Sequence, residues 1–407
     1  MQQTHKFITY GSVTSPRGFT ASGIAAGLKY SGKPDMGLIF SEVPAKVSGA
    51  FTTCVFAAAP VQVCKQRVLE NESARAVIIN SGNANACTGN PGLDAAHEMC
   101  SYTAEKLGIR AEDVLVSSTG RIGVQLPMDT IKSGIDKAVA ARSSEGGNDL
   151  AQAIMTTDTV PKSAAVEVEL SNGKVTIGAA VKGSGMIDPY MQVPHATMLC
   201  YITTDAGLEK KQLDDMLYSG INQSFNRITI DGDMSTNDTT IIMANGVSGV
   251  QVQDKDAAVF SAALQALMQQ LAREMVIDGE GATKFVEVNI SNAATEADAR
   301  CLAEAIGNSL LCKTAWFGND PNWGRLVAAL GYSGVKFDPD LVDVCYDDMP
   351  VVSKGGDAGT PEEELAEVLK KSDFKVNVNM NAGSAGYWIW TCDISYEYVK
   401  INAEYHT

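Results

Sequence analysis

Short apolar, β-branched runs alternate along this chain with stretches in which apolar residues recur every three or four positions. Alternating strand and helix periods predict an α/β or α+β architecture. "RAVIINSG" (75–82) and "DVLVSSTG" (113–120) read as strands that each end in a small-residue loop, with helical spacing in "NPGLDAAHEMCSYTAEKLG" between them. The apolar run from Met198 to Ile202 marks a buried central strand, and "DAGLEKKQLDDMLYSGINQSF" after it predicts a helix capped by Asp205. The clearest helix is 255–276, where Phe260, Leu264, Leu267, Met268, Leu271 and Met275 share one stripe. Met and Leu at that spacing are core packing and imply no cofactor. "TEADARCLAEAIGNS" and "PEEELAEVLKKS" are two further helices, the acidic start of the second suiting a helix N-terminus. "FKVNVNM" and "GYWIWTCDISYEYVKINA" read as strands, and "VVSKGGDAGTPEE" (351–363) as a surface loop.

Composition narrows the classes. With 407 residues, 45% hydrophobic and 20% charged, the chain suits one large or two ordinary globular domains. A net charge of −16 argues against non-specific binding to nucleic acid or anionic membrane, yet leaves room for a basic pocket that takes a small anion. No apolar run nears the ~18 residues of a membrane span. The start, "MQQTHKFITYGSVTSPRGF", has no basic region followed by an apolar one, so no signal peptide is expected. Nine cysteines without a CxxC pair predict reduced thiols and a cytoplasmic location. The four histidines, His5, His97, His195 and His406, are far apart, which speaks against a zinc site. They also leave little for a Ser-His-Asp scheme. Only His195 lies near a candidate nucleophile.

That candidate is Thr197, at the mouth of the central strand in "VPHATMLCYITTDAG" (193–207). A threonine hydroxyl is a weak nucleophile until a base is set against it. Cutting the chain before Thr197 would supply one, because the new α-amino group has an ordinary pKa of about 8. Gly183, Gly185, Pro189, Pro194 and Ala196 suit the flexible or strained approach such a cut requires. On spacing alone, a threonine that merely opens a strand is the simpler account. "SSTG" (117–120) can aim N–H groups or a hydroxyl at an oxyanion, or make a tight turn on Gly120. "SGNANACTGNPG" (81–92) is a nest for a carboxylate or a loop that satisfies its own backbone. Neither GxxxxGK[ST] nor GxGxxG is present.

"FNRITIDGDMSTNDT" (225–239) suggests calcium by composition, through Asp231, Asp233, Asn237 and Asp238. Its spacing lacks the glycine and terminal glutamate of an EF-hand, which leaves a hydrogen-bonded loop bracing the central strands. "GNDPNWGR" (318–325) reads as a helix start with a buried tryptophan. Glu280, between two glycines in "DGEGATKF" (278–285), is either solvated or brought close to a cationic ligand. Lys182 in "VKGSG" is the matching candidate for an anionic group. With a nucleophile, the pair suits a zwitterionic amino acid that carries an acyl group.

"NSGNANACTG", "SSTG", "TTDT", "KGSGMI", "ATML", "FNRITIDGDMSTNDT", "DGEGATK", "GNDPNWGR" and the terminal "INAEYHT" occur in the order seen in the ornithine acetyltransferases. The chain resembles this family, also called glutamate N-acetyltransferase, over essentially its whole length. The resemblance implies layered sheets flanked by helices, the self-processing fold with an N-terminal threonine nucleophile shared with the aminopeptidase/amidase type. It implies self-cleavage between Ala196 and Thr197, giving an alpha chain 1–196 and a beta chain 197–407, two of each in the assembly. Thr197 would then take the acetyl group of N-acetylornithine and pass it to glutamate in a ping-pong scheme. Thr119 and Gly120 would line the oxyanion hole. Thr156, Lys182, Thr197, Glu280, Asn402 and Thr407 would bind substrate. No cofactor or metal is implied, acetyl-CoA is a possible second donor, and a chain ending in a strand would place Thr407.

One departure is local. Most family members run almost directly from "GSGMI-x-P-x-M" into "ATML", whereas "QVPH" (192–195) is inserted here, with His195 read as loop. Two rival readings stand beside the transferase. One is a self-processing hydrolase of the aminopeptidase/amidase type, which passes the acyl group to water. The other is an unprocessed, non-enzymatic amino-acid-binding relative.

Overall fold

The computed structural model describes residues 5–188 and 198–404. Its first sheet is built from His5–Phe7 (β1), Phe19–Ile24 (β2), Met36–Phe51 (β3), Ser73–Asn83 (β4), Val114–Arg121 (β5), Lys162–Leu170 (β6), Gly173–Lys182 (β7), Leu199–Thr204 (β8) and Thr239–Ala244 (β9). The spatial order is β1-β6-β7-β8-β9-β3-β4-β5, with β2 paired to β3.

The long strand β3 belongs to two leaves. Its first part pairs with β4, the register shifts between Phe40 and Ala45, and Lys46–Phe51 then pair with β9. The sheet thereby folds over itself. Ala180, Leu199, Tyr201, Ile241 and Met243, from β7 to β9, share one core with β3 to β5 and the helices Ala59–Glu70, Gly89–Leu107 and Met128–Ala141. Cys200, Ile202 and Ile242 point the other way, into a core with the helices Lys210–Asn222 and Asp254–Ile277. Successive strand residues face opposite sides. A strand covered on both faces is therefore apolar without a break, and all six residues of β8 are buried.

The predicted stripe on Asp254–Ile277 is fully buried, from Phe260 to Met275. Each such side chain contributes roughly 1.5–3 kcal/mol relative to exposure.

A second sheet comprises Phe285–Ala293 (β10), Asp343–Tyr346 (β11), Met349–Ser353 (β12), Gly356–Asp357 (β13), Asp373–Asn379 (β14) and Ala385–Cys392 (β15). Its order is β13-β12-β11-β14-β10-β15. The helices Glu296–Gly307, Leu310–Phe317, Trp323–Tyr332 and Glu362–Leu369 pack on it around Trp316. The layered α/β class read from the sequence is the class observed. Among the described residues, no helix is long and apolar enough to cross a membrane.

Local expectations need correction. Asp205 caps no helix. Its carboxylate accepts from Thr176 N (2.8 Å) and Arg17 Nε (3.2 Å), and the helix begins at Lys210. "SSTG" is not a turn, because β5 runs on to Arg121 with Gly120 paired to Gly82. The last described segment is the helix Tyr396–Glu404 and not a strand. Its aromatic and β-branched residues suggest a strand, but Ser395 Oγ accepts from Glu397 N (3.2 Å) and opens a helix. Part of 351–363 belongs to β12 and β13. Trp323 is half-buried; the buried tryptophan is Trp316. The segment 81–92 is the loop that satisfies itself. Asn83 Oδ1 accepts from Asn85 N (2.8 Å), and Asn85 Nδ2 donates to Gly92 O (2.9 Å).

Candidate active site

A cavity of about 310 Å³ opens where β5 and β7 end and β8 begins. Thr119, Gly120, Thr156, Lys182, Glu280 and Asn402 all line it, together with Met198, Leu199 and Asp238. Six sequence-predicted residues from distant segments thus share one wall. The others, Ala196, Thr197 and Thr407, lie outside the described residues, as do Pro189, Pro194, His195 and the "QVPH" insertion. Thr197 is the chain neighbour of Met198.

Sheet register builds one side of the cavity. Lys182 at the end of β7 stands opposite Leu199, which stands opposite Thr239 at the start of β9. Thr239 N donates to Met198 O at 2.5 Å. The β5 side depends on Gly120, whose φ is +127°. A Cβ there would come within 2.7 Å of Asn83 N, so backbone conformation and close approach of β4 both call for glycine. Asn237 Nδ2 donates to Ser118 O (2.8 Å) and Ala84 O (2.6 Å), tying segment 225–239 to β5. This is the bracing expected of that segment. Asp231 adds to it by accepting from Met186 N (2.6 Å) and Ile187 N (2.9 Å).

Glu280 is buried, not solvated, at 8% exposure. Its N–H donates to Ser184 O (2.8 Å), and its Oε2 accepts from Asn402 Nδ2 (2.7 Å) on the final helix. Gly185 makes room for the carboxylate, since a Cβ there would lie 2.5 Å from Oε1 and 2.6 Å from Oε2. Lys182 Nζ donates to Thr156 Oγ1 at 3.3 Å. Desolvation pushes the Lys182 ammonium below its usual range, against the pull of Asp158, Asp238 and Glu280.

Sequence reasoning missed what holds these groups. Lys162 is 1% exposed, and its ammonium donates to Asp158 Oδ1 (2.8 Å) and Asp278 Oδ2 (2.5 Å). Asp158 also accepts from Gly183 N (2.8 Å) and Thr156 N (2.9 Å), while Asp278 accepts from Thr159 N (3.1 Å). One buried ion cluster therefore joins the segments that carry Thr156, Lys182 and Glu280. Asp158 sits in "TTDT" and Asp278 in "DGEGATK", but nothing in either motif signals that they meet on Lys162.

A second cavity, of about 660 Å³, shares Thr156 with the first and is lined by Lys29, Tyr30, Lys33 and Arg121. Lys29 Nζ donates to Pro34 O and Met155 O, both at 2.8 Å. Burial pushes its ammonium down to about 8, against the opposing pull of Asp35 and Asp158.

Lys182 and the buried carboxylate of Glu280 line one cavity at strand ends of a layered α/β fold, the arrangement of an enzyme site. The chain belongs to the ArgJ family, whose model matches residues 20–407. This bears out the resemblance to the ornithine acetyltransferases. An arginine biosynthesis bifunctional protein ArgJ from Symbiobacterium thermophilum is 47% identical over 402 residues, covering 98% of this chain and 99% of its own. The protein of that name from Geobacter sulfurreducens is 46% identical over 395 residues, with 96% and 99% covered. Among solved structures, an ornithine acetyltransferase complexed with ornithine, from Mycobacterium tuberculosis, is 40% identical. It covers 46% of this chain and 100% of its own, with a TM-score of 0.44.

Proposed function

We propose that this protein moves the acetyl group of N-acetylornithine to glutamate through an acetyl-threonine on Thr197, after cutting itself between Ala196 and Thr197. The observation that carries the reading is the gathering of Thr119, Gly120, Thr156, Lys182, Glu280 and Asn402 around one cavity whose wall includes Met198. The α-amino group of Thr197 takes the Oγ proton as Oγ attacks the acetyl carbon. Gly120 N–H and the Thr119 hydroxyl receive the oxyanion. Lys182 and Thr156 hold the substrate carboxylate, and Glu280, braced by Asn402, holds the ammonium. Glutamate then takes the acetyl group by the reverse chemistry. The fragments 1–196 and 197–407 stay together because β7 and β8, one from each, pair from Ile177–Thr204 to Lys182–Leu199.

Denaturing electrophoresis with intact mass tests this directly. Two fragments are expected, the larger beginning Thr-Met-Leu-Cys, and Thr197→Ala abolishes both the split and the transfer. A single 43.1 kDa species without acetyl transfer refutes the proposal. Release of ornithine from N-acetylornithine without glutamate would make the enzyme a hydrolase instead.

The second cavity favours acetyl-CoA as a further donor, because Lys29, Lys33 and Arg121 offer cations to its phosphates beside Thr156. Arg121→Glu should then raise KM for acetyl-CoA and leave KM for N-acetylornithine near its wild-type value. Equal effects on both donors refute that placement.

A further inference from the structure

Glu280 and Asn402 meet at the cavity, yet neither is fixed by its own element. Among the described residues none of the helix Tyr396–Glu404 is buried, so apolar burial does little to set where Asn402 lies. Glu280 stands in a loop between Gly279 and Gly281, the residue type whose backbone is least restrained.

The residues just before the helix are the opposite. Thr391 to Ser395 are all buried, with Asp393 at 1% exposure. Their polar side chains are directed at the loop of Glu280. Asp393 Oδ1 accepts from Thr283 N (2.7 Å) and Lys284 N (2.9 Å), and its Oδ2 accepts from Thr283 Oγ1 (2.5 Å). Ser395 Oγ donates to Gly281 O (2.6 Å) while accepting from Glu397 N (3.2 Å), so one atom joins the loop to the first turn of the helix. The approach is close. A Cβ on Gly281 would lie 2.6 Å from Tyr398 N and 2.8 Å from Ser395 Oγ. The bond from Asn402 Nδ2 to Glu280 Oε2 (2.7 Å) closes the ring on the cavity side.

We propose that Asp393, with Ser395, is the positioning residue of the ammonium subsite. It locks the Glu280 loop to the root of the final helix, so that the Glu280 carboxylate and the Asn402 amide face a cationic side-chain end together. Charge-assisted hydrogen bonds are short and directional, and a carboxylate displaced from its place loses much of their strength. The ring therefore selects an acyl donor whose chain ends in a cation. The assignment rests on the reading of Glu280 as the partner of the substrate ammonium.

Two donors separate positioning from general damage. N-acetylnorvaline has the carbon chain of N-acetylornithine without its ammonium. Ser395→Ala removes one bond of the ring and leaves Asp393 in place. It should lower kcat/KM for N-acetylornithine relative to N-acetylnorvaline about 3- to 10-fold, through KM and not kcat. Asp393→Ala should lower that ratio further. Asp393→Asn should restore most of it, because the amide oxygen still accepts from Thr283 N and Lys284 N. In a Glu280→Gln background neither Ser395→Ala nor Asp393→Ala should lower the ratio again, since the charge they position is gone.

Equal losses on both donors, or a full further loss in the Glu280→Gln background, overturn the proposal. Where Asp393→Ala does not fold, Ser395→Ala decides. Glu280→Gln alone tests the reading beneath. If it leaves the ratio at the wild-type value, Glu280 does not hold the ammonium and both ideas fall. If it lowers the ratio and the Ser395 and Asp393 variants do not, only the positioning role falls.

Discussion

Replacing Lys162 with methionine nearly keeps the length of the side chain and removes its charge. Two carboxylates, Asp158 and Asp278, then lose the ammonium they share in a region almost closed to water. Removing one partner of a buried pair costs about 3–5 kcal/mol, because the remaining charge is left uncompensated. Unfolding entropy of about 2.1 cal/mol/K per residue, over 407 residues, makes each kcal/mol worth roughly 1.2 °C. Lys162→Met should therefore melt about 4–6 °C below wild type by calorimetry at pH 7.

The pH dependence follows from Asp158. Burial pushes its carboxyl up, but Lys162, Lys182 and the hydrogen bonds from Lys162 and Thr156 outweigh burial and hold it below its ordinary value. A depressed carboxyl contributes stability above its unfolded pKa and loses it as pH falls through the folded one. The deficit of the variant should thus be greatest near neutrality and shrink in acid. The triple variant Lys162→Met, Asp158→Asn, Asp278→Asn should recover most of the loss, since no charge is then buried alone. A single variant that melts within about 1 °C of wild type would refute the reasoning.

Gly185→Ala should barely change the melting temperature yet raise KM for N-acetylornithine, because the new methyl displaces the flexible end of Glu280; calorimetry and steady-state kinetics read the two effects. Glu280→Gln should raise KM more than it lowers kcat, as loss of a charge-assisted contact to the substrate ammonium worth about 1.5–3 kcal/mol. Lys29 carries its charge below a pKa of about 8 and loses it above. KM for acetyl-CoA should therefore climb through that pH, and the climb should vanish in Lys29→Met.

Elements were legible where the signal is local. The stripe from Phe260 to Met275 and the unbroken apolar run of β8 state their own periods, and both are buried as those periods require. Asp205 and the terminal helix were misread because the deciding partners are remote or slight. Asp205 is claimed by Thr176 on β7 and by Arg17 in the turn before β2, and a single serine outweighs a strand-like composition after β15. At the site, motif resemblance picked out Thr119, Gly120, Thr156, Lys182, Glu280 and Asn402, and the fold brings all six to one cavity. It passed over Asp158, Lys162, Asp238 and Asp278, whose residue types are common and whose spacing is unremarkable.

The chain's own order of residues carried the class of architecture, the main strands and helices, the family and six residues that line the cavity. Hydrophobic period and motif order are written along the backbone and need no partner to be read. The tertiary structure settled how Lys182, Leu199 and Thr239 come abreast, that Glu280 is buried against Asn402, and that Lys162 joins three site segments. Among the described residues it also left one oxygen of Asp238 without a hydrogen-bond partner. Desolvation and hydrogen-bond satisfaction depend on what distant segments bring to a point in space, and no local pattern records that.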